Sequence, residues 1–222
     1  MAKESFSVSR FELLMDAGFG AQKAGDILIQ AFAKTKRFVF IEPMIPAEIS
    51  PPARSRPALS GTIIRVAEFD LKNIGNDTDF ILAQHEIVLD RRLDDGEYNP
   101  NCKILLDVGD KKANEESYEQ VLKRCTKEGL DVFPFEISDV GKKLIQGLAG
   151  KGKNMYYIGI LAAIYNMTEE SVITEIKATF GAKLKEEILN KNIEIFHEGY
   201  EFGKNSLEFS IKIGEGVEID GD

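Results

Sequence analysis

The sequence has few of the side chains that carry metal or redox chemistry. It contains only two cysteines, Cys102 and Cys125, which lie far apart and outside any C-x-x-C pattern. Two thiols cannot ligate a four-cysteine iron–sulfur cluster or a structural zinc ion. Because Cys102 opens an apolar segment, we expect a buried free thiol there rather than a disulfide or a catalytic cysteine.

Histidine is equally scarce. His85 and His197 are the only two, and each lacks a second histidine three or four residues away. This spacing argues against a metal site and against histidine-based catalysis, so we interpret both as surface residues. A serine nucleophile is not indicated either, because Ser60 and Gly61 lack the preceding glycine of a Gly-x-Ser-x-Gly turn.

The chain also lacks a net positive charge and a long apolar run. The formal net charge is -9, which argues against a nucleic-acid partner because a phosphate backbone needs a basic surface. The start of the sequence has no apolar signal-peptide core. The longest apolar run, residues 156–165, is about half of a membrane span. We therefore expect a soluble cytoplasmic protein without membrane contact.

The apolar residues that are present predict an α/β fold. A chain of 222 residues with 43% hydrophobic residues suits one large domain, or one domain with an extension. Strands alternate with helices, which favours a Rossmann-like, mainly parallel sheet with helices on both faces. The predicted strands are 10–17, 38–42, 61–69, 103–108 and 130–137, with short apolar pieces at 80–83 and 86–89.

The helical pattern is clearest in the first and last thirds. Helical spacing of apolar residues predicts helices over 24–32, 114–127 and 183–202. Asn154 could cap a helix over 155–166 that is apolar nearly all round and therefore buried, and Thr168 could cap the next helix. Apolar residues then alternate from Leu207 to Ile213, and Val217 and Ile219 follow. We expect a main domain over residues 1–203 and a C-terminal β extension, a strand or a hairpin, over residues 204–222.

The most informative segment is a glycine-lined turn between the first strand and its helix. Gly18 and Gly20 stand where backbone N–H groups at the positive end of a helix can approach an anion or a partner's backbone. Lys23 replaces the third glycine of a dinucleotide fingerprint, and no Gly-Lys-Ser/Thr closes the turn, so an NAD or ATP site is not indicated. The glycines serve either a ligand contact or only chain reversal and close packing.

A proline-rich segment follows the second strand. Residues 43–57 contain five of the seven prolines, which prevents a regular ladder and predicts an ordered or lid-like loop. Arg54 and Arg56 of this loop could gather with Lys23 and Arg65 around the glycine turn and bind a phosphate or carboxylate. Alternatively, they are two solvent-exposed arginines in a mobile loop.

Three motifs together resemble the gamma subunit, or gamma domain, of the 2-oxoacid:ferredoxin (acceptor) oxidoreductases. The family's Gly-x-Gly-Gly-Gln-Gly turn stands here as residues 18–23, with Ala21 and Lys23 in place of two glycines. Its Arg-Gly-Gly-x-Ser-x-x-x-x-Arg signature stands as residues 56–65, with Pro57 and Ala58 in place of the paired glycines. The third match pairs Asn154 and Gly159 of one helix with Asn192-x₆-Gly199-Tyr200. The resemblance covers residues 10–203.

The resemblance implies a gamma-type subunit that works only in a complex. That complex would decarboxylate a 2-oxoacid such as pyruvate or 2-oxoglutarate oxidatively to an acyl-CoA, using thiamine diphosphate, Mg²⁺, [4Fe–4S] clusters and coenzyme A. This chain would bind no cofactor alone and would assemble with alpha, beta and delta-type (ferredoxin-like) subunits. It would contact coenzyme A or a neighbouring subunit through Gly18, Phe19, Gly20, Gln22, Arg56 and Ser60.

Two readings compete with the resemblance. The chain could be a stand-alone Rossmann-like protein that binds a nucleotide or an acyl-CoA, in which case the isolated chain gains stability with ligand concentration. It could also be a purely structural subunit whose glycine turn never touches a ligand.

Overall fold

A six-stranded sheet lies at the centre of the computed structural model, which describes residues 2–207 and 209–214 and the side chains from residue 6 onward. The described residues form eight strands: β1 (Ala2–Phe6), β2 (Val8–Asp16), β3 (Phe38–Met44), β4 (Leu59–Ala67), β5 (Thr78–Ala83), β6 (Tyr98–Asp107), β7 (Asp131–Phe135) and β8 (Phe209–Ile213). The sheet has the order β3-β4-β2-β5-β6-β7. Only β4 runs antiparallel to its neighbours, so the sheet is mainly parallel, as predicted.

Seven helices in the described residues cover this sheet: α1 (Ala21–Ala33), α2 (Glu86–Leu93), α3 (Glu115–Lys127), α4 (Asp139–Gly147), α5 (Lys153–Ile164), α6 (Glu169–Phe180) and α7 (Glu186–Ser206). Side chains alternate along β2, so Phe11 and Leu13 face one core while Leu14 faces the other. The first core packs against α1 and α4 to α7, and the second against α2 and α3. The predicted α/β fold with helices on both faces is confirmed.

The edges of the sheet explain how two prolines fit into strands. Pro43 belongs to β3 and Pro134 to β7, and these two strands are the edges of the six-stranded sheet. An edge strand tolerates proline because one side of its backbone needs no hydrogen-bond partner. The predicted loop therefore starts two residues later than the first proline. We call residues 45–58, which join β3 to β4, the prolyl loop.

The helix signals gave mixed results. Thr168 caps α6 as predicted, with its hydroxyl accepting a hydrogen bond from Ser171 N at 3.3 Å. Asn154 does not cap α5; Gly152 holds that position with φ +104°, a left-handed conformation that favours glycine. The short piece at 86–89 opens helix α2 and is not a strand, because three consecutive apolar residues, 87–89, do not distinguish the two. Helix α4 was not predicted.

The first three residues of the predicted C-terminal extension, 204–206, belong to α7, and the expected strand β8 follows them. β8 pairs in parallel with β1, from Ala2 opposite Phe209 to Phe6 opposite Ile213, in a separate two-stranded sheet. Its side chains close the first core: the ring of Phe209 lies 5.9 Å from that of Phe80 and 5.1 Å from that of Phe133. Val217 and Ile219 lie outside the described residues.

Candidate functional site

The carboxyl ends of β2, β5 and β6 form the candidate site. Helix α1, which follows β2, packs on one face of the sheet, whereas α2, which follows the neighbouring β5, packs on the other. The two connections therefore diverge between β2 and β5 and leave a crevice at the ends of these strands. In open α/β sheets, ligands bind at such a point.

The glycine turn lies at this crevice. Gly18 and Gly20 have φ of +86° and +85°, which are left-handed conformations that disfavour residues with a Cβ atom. A Cβ atom on Gly20 would also lie 2.7 Å from Asn154 Nδ2. None of the described side chains caps α1, and its first turn contains no acidic residue. The start of α1 thus keeps the positive potential that favours an anionic group.

The second motif segment lies beside the glycine turn. β4 pairs with β2 so that Ser60 stands opposite Met15, and the N–H of Ala17 donates to Ala58 O at 2.8 Å. Ser60 is only 6% exposed, so its side chain is buried in this ladder. By contrast, Gly18, Phe19 and Gln22 are exposed.

Arg56 points toward α2. Its guanidinium pairs with Asp90 and Asp94, and Arg124 of α3 binds the same two carboxylates at 2.8 and 2.9 Å. Arg56 also lines a groove of about 330 Å³ together with Gln120 of α3. Arg56 thus already has two carboxylate partners, which it shares with Arg124, and its guanidinium ties the prolyl loop to α2 and the residue that follows this helix.

Arg54 is held more firmly, at the crevice itself. Its backbone N–H donates to Asp16 Oδ2 at 2.8 Å, and its guanidinium donates to Glu86 Oε1 at 2.5 Å and to Asp110. The guanidinium also lies 6.0 Å from the ring centre of Tyr118. Burial alone would lower the pKa of Arg54, but Glu86 and Asp110 raise it above its usual value, so the guanidinium stays charged.

Of the four cations that could gather around the turn, Arg65 lies elsewhere. Lys23 forms an exposed pair with Asp26 at 2.9 Å. Arg65 lies toward the opposite end of β4 and donates to Asn73 Oδ1 at 2.7 Å. Six residues of strand separate Arg65 from the start of β4, so its side chain is roughly 20 Å from the crevice edge.

The interpretation of both histidines as surface residues holds for His197 and is wrong for His85. His197 is exposed on α7 and pairs with Glu169. His85 is 2% exposed, directly before α2, with Nε2 3.1 Å from Asp16 Oδ1. Despite this separation, Asp16 Oδ1, both nitrogens of His85 and Glu86 Oε2 have no partner with hydrogen-bond geometry among the described residues. No local sequence pattern indicates this burial, because it depends on the contact between His85 and the end of β2.

The carboxyl group of Asp16 is stabilised in its ionised form. Burial alone would raise its pKa, but the contact with His85 and the N–H of Arg54 outweigh burial and hold the pKa below its usual value. Asp16 therefore carries a negative charge immediately before the glycine turn. Through the hydrogen bond from the N–H of Arg54, this carboxylate connects the end of β2 to the prolyl loop.

A second buried acid closes the crevice at the end of β6. Asp107 is 2% exposed and accepts hydrogen bonds from the hydroxyl of Tyr157 at 2.7 Å and from Gly109 N at 2.8 Å. Lys153 Nζ lies 3.5 Å away. Burial and Asp107 raise the pKa of Tyr157 well above its usual value, so its hydroxyl stays a neutral donor. An acid directly after a buried strand is the sequence signal that could have identified Asp16 and Asp107.

The described residues give no indication of a metal centre or a membrane span. Within residues 2–207 and 209–214, no three His, Cys, Asp or Glu side chains are arranged to hold a metal ion. In the same part of the chain, no helix combines the length and apolar character that crossing a membrane requires. Cys102 and Cys125 are both buried and free, as expected for Cys102.

The fold defines an α/β protein with a Rossmann-like, mainly parallel sheet and a glycine turn at its crevice. A family model described as pyruvate ferredoxin/flavodoxin oxidoreductase matches residues 16–202. The chain therefore belongs to this family, as the three motifs indicated.

Solved structures share the fold. The 2-oxoglutarate:ferredoxin oxidoreductase from Magnetococcus marinus, solved with 2-oxoglutarate, coenzyme A and succinyl-CoA bound, matches 96% of this chain and 34% of its own, with a TM-score of 0.71 and 19% identity. The pyruvate oxidoreductase subunit PORC from Thermotoga maritima matches 88% of this chain and 97% of its own, with a TM-score of 0.62 and 17% identity. The keto/oxoacid ferredoxin oxidoreductase gamma subunit from Geobacter sulfurreducens matches 88% of this chain and 96% of its own, with a TM-score of 0.60 and 14% identity.

A relative in sequence is the 2-oxoglutarate oxidoreductase subunit KorA of Mycobacterium tuberculosis, 23% identical over 213 residues. The match covers 87% of this chain and 31% of KorA, so the chain spans about a third of the length of this curated relative.

Proposed function

We propose that this chain is the gamma-type subunit of a thiamine diphosphate-dependent 2-oxoacid:ferredoxin (acceptor) oxidoreductase. The observation that carries the proposal is the end-to-end match with two solved subunits, which align over 97% and 96% of their own lengths. One is a pyruvate oxidoreductase subunit, and the other is a keto/oxoacid ferredoxin oxidoreductase gamma subunit. We also propose the division into a main domain, residues 1–203, and an extension, residues 204–222, which the family match ending at residue 202 supports.

In this proposal the chain assembles with alpha, beta and delta-type subunits, which hold the redox cofactors. The chain's own residues do not fit those groups: two buried cysteines are too few for a [4Fe–4S] cluster. Thiamine diphosphate and Mg²⁺ are likewise assigned to the partners, where they supply the decarboxylation chemistry. This chain contributes assembly and a coenzyme A contact to the oxidation of pyruvate or 2-oxoglutarate to an acyl-CoA in the cytoplasm.

The exposed part of the glycine turn makes the coenzyme A contact in this proposal. Gly18, Phe19, Gly20 and Gln22 present the start of α1, where the helix dipole favours a phosphate group. Arg56 and Ser60 belong to the proposed site through the segment that borders the turn. Because Asp90 and Asp94 already pair with Arg56, we assign its side chain to holding that segment.

Reconstitution tests the proposed function. The chain is produced with and without its partner subunits, and 2-oxoacid- and coenzyme A-dependent reduction of a viologen dye is measured. We expect turnover only from the complete complex. Turnover by the isolated chain, or full activity of a complex that lacks it, would contradict the proposal.

The Arg56→Ala substitution separates a ligand contact from a structural one. If Arg56 acts on coenzyme A, the KM for coenzyme A rises while the complex stays intact. An unchanged KM with weakened assembly places Arg56 at an interface. Arg91→Ala is the matched control. Arg91 lies on α2, the helix that Arg56 contacts, and forms an exposed ion pair with Asp95.

The uncapped start of α1 also favours the alternative of a stand-alone nucleotide or acyl-CoA binding protein. Thermal unfolding of the isolated chain with increasing coenzyme A or nucleotide distinguishes the two. A stand-alone binder gains stability as ligand concentration rises far above Kd. A subunit that completes its site only in the complex does not.

A further inference from the structure

The prolyl loop reaches into solvent at its tip and is fastened at its base. Ile45 is 72% exposed and Ile49 is fully exposed, so the tip makes little contact with the rest of the domain. Apolar packing therefore does not set the position of the tip. Its base carries Arg54 and Arg56, whose side chains form ion pairs with other elements.

Arg54 adopts a backbone conformation that needs support. Its φ of +54° is in the left-handed region, which is costly for a residue with a Cβ atom. Such a residue persists when the surrounding structure over-determines it. Here the support comes from the hydrogen bond of its N–H to Asp16 Oδ2 and from the ion pairs of its guanidinium with Glu86 and Asp110.

These partners come from three separate parts of the crevice. Asp16 ends β2 directly before the glycine turn, Glu86 begins α2, and Asp110 lies in the connection that follows β6. The planar guanidinium can donate to two carboxylates at once, which the single ammonium of a lysine does less well. Arg54 is thus the point at which the prolyl loop is joined to the loops that surround the glycine turn.

The buried carboxylate of Glu86 needs the guanidinium of Arg54 as its charge partner. Its side chain is fully buried, and Oε2 has no hydrogen-bond partner among the described residues, so Arg54 is its charge partner. A buried carboxylate that loses its cation must rearrange or take up a proton. Without the guanidinium, α2 and the base of the loop would no longer be held together at this position.

We propose that Arg54 is a positioning residue for coenzyme A, and this inference rests on the proposed function. It holds the segment 54–58 beside the glycine turn, where Ala17 N–H also donates to Ala58 O. The start of α1 is thereby kept at one distance from the loop that borders it. Arg54 acts through Asp16 and Glu86 and does not itself contact the ligand.

The test uses the assembled complex and the full chain. Arg54→Ala and Arg54→Lys are compared with Arg91→Ala, which removes an exposed ion pair on α2. Hydrogen–deuterium exchange of peptides covering residues 44–60 reports on the loop, and steady-state kinetics give the KM for coenzyme A, the KM for the 2-oxoacid, and kcat.

We expect faster exchange of the loop in Arg54→Ala and a KM for coenzyme A raised about tenfold, because small displacements of a binding element cost that much or more. Arg54→Lys restores part of both effects, because it keeps the positive charge but not the fork. The KM for the 2-oxoacid and the control variant stay within about twofold of wild type.

The following results would contradict part of the inference. Unchanged exchange in Arg54→Ala shows that Arg54 does not hold the loop. Faster exchange with an unchanged KM for coenzyme A shows that the residue is structural only. If Arg54→Ala does not fold, Arg54→Lys and Asp110→Asn decide by the same two measurements. A wild-type complex without coenzyme A dependence defeats the proposed function itself, whereas loop exchange still reports on Arg54 alone.

Discussion

The crossing of α5 and α7 depends on the absence of a side chain at Gly199. A Cβ atom at this position would lie 2.7 Å from the carbonyl carbon of Tyr156, and closer still to its oxygen. The favourable separation of two carbon atoms is about 3.5 Å or more, so Gly199→Ala would bring the atoms at least about 0.8 Å too close. The atoms in the way belong to the backbone of α5 and cannot rotate aside. The two helices must therefore move apart.

The expected cost follows from two opposing effects. Overpacking a well-packed core costs about 1–3 kcal/mol, and a clash with backbone belongs at the upper end. Alanine gains about 1 kcal/mol over glycine in helix propensity. Gly199→Ala should therefore lower the free energy of unfolding by about 2 kcal/mol, which corresponds to a fall in Tm of about 4–8 °C for a chain of this size.

Urea unfolding followed by circular dichroism checks this value, with Gly147→Ala as the matched control. Gly147 is the exposed last residue of α4, and a Cβ atom there meets nothing within 4 Å. The control should be neutral or slightly stabilised. If Gly199→Ala unfolds at the same urea concentration as wild type, or if both variants lose equal stability, close helix contact at Gly199 is refuted.

Three further predictions concern buried polar groups. Arg92→Leu leaves the fully buried Glu12 without the guanidinium that binds it through two 2.7 Å hydrogen bonds. Unfolding measurements should therefore show that the free energy of unfolding falls by about 3–5 kcal/mol. The double variant with Glu12→Gln should recover part of this loss, and no recovery would contradict the pairing. Folding lowers the pKa of Asp16, so the contribution of this residue to stability is present above its ordinary pKa near 3.8 and is lost as pH falls through the folded pKa. The stabilities of wild type and Asp16→Asn should therefore converge on acidification. A difference that stays constant with pH would contradict this prediction. Burial raises the pKa of the Cys102 thiol, and it raises the pKa of the Cys125 thiol to about 11. A thiol reagent at pH 8 should therefore label both cysteines only after unfolding. Rapid labelling of the native chain would show that the thiols are exposed.

The sequence predicted those features that depend on neighbouring residues. The glycine turn and the start of α1 lie within a few residues of each other, and Thr168 caps α6 through a residue three positions away. Apolar periodicity likewise identified most strands, because alternation along β2 reflects which face each side chain occupies. Such signals need no knowledge of the tertiary fold.

The features that escaped prediction depend on distant segments. The carboxylates that bind Arg54 and Arg56 come largely from α2, whose start shows in the sequence only as a short apolar piece, because three consecutive apolar residues suit a strand or a helix. His85 was misplaced at the surface because its burial depends on the contact with the end of β2. The pairing of Asp16 with His85 follows from β2 and β5 being neighbours, which local sequence patterns do not specify.

The ladder between β1 and β8 makes the order of synthesis matter for folding. Its two strands lie about 200 residues apart, so the first strand leaves the ribosome long before its partner exists. Until then the apolar rings of Phe80 and Phe133 stay uncovered by Phe209. The nascent chain can complete every other strand pairing and must wait for this one. Interaction with a chaperone is therefore best sought in that interval, with ribosome-bound chains that end before residue 209.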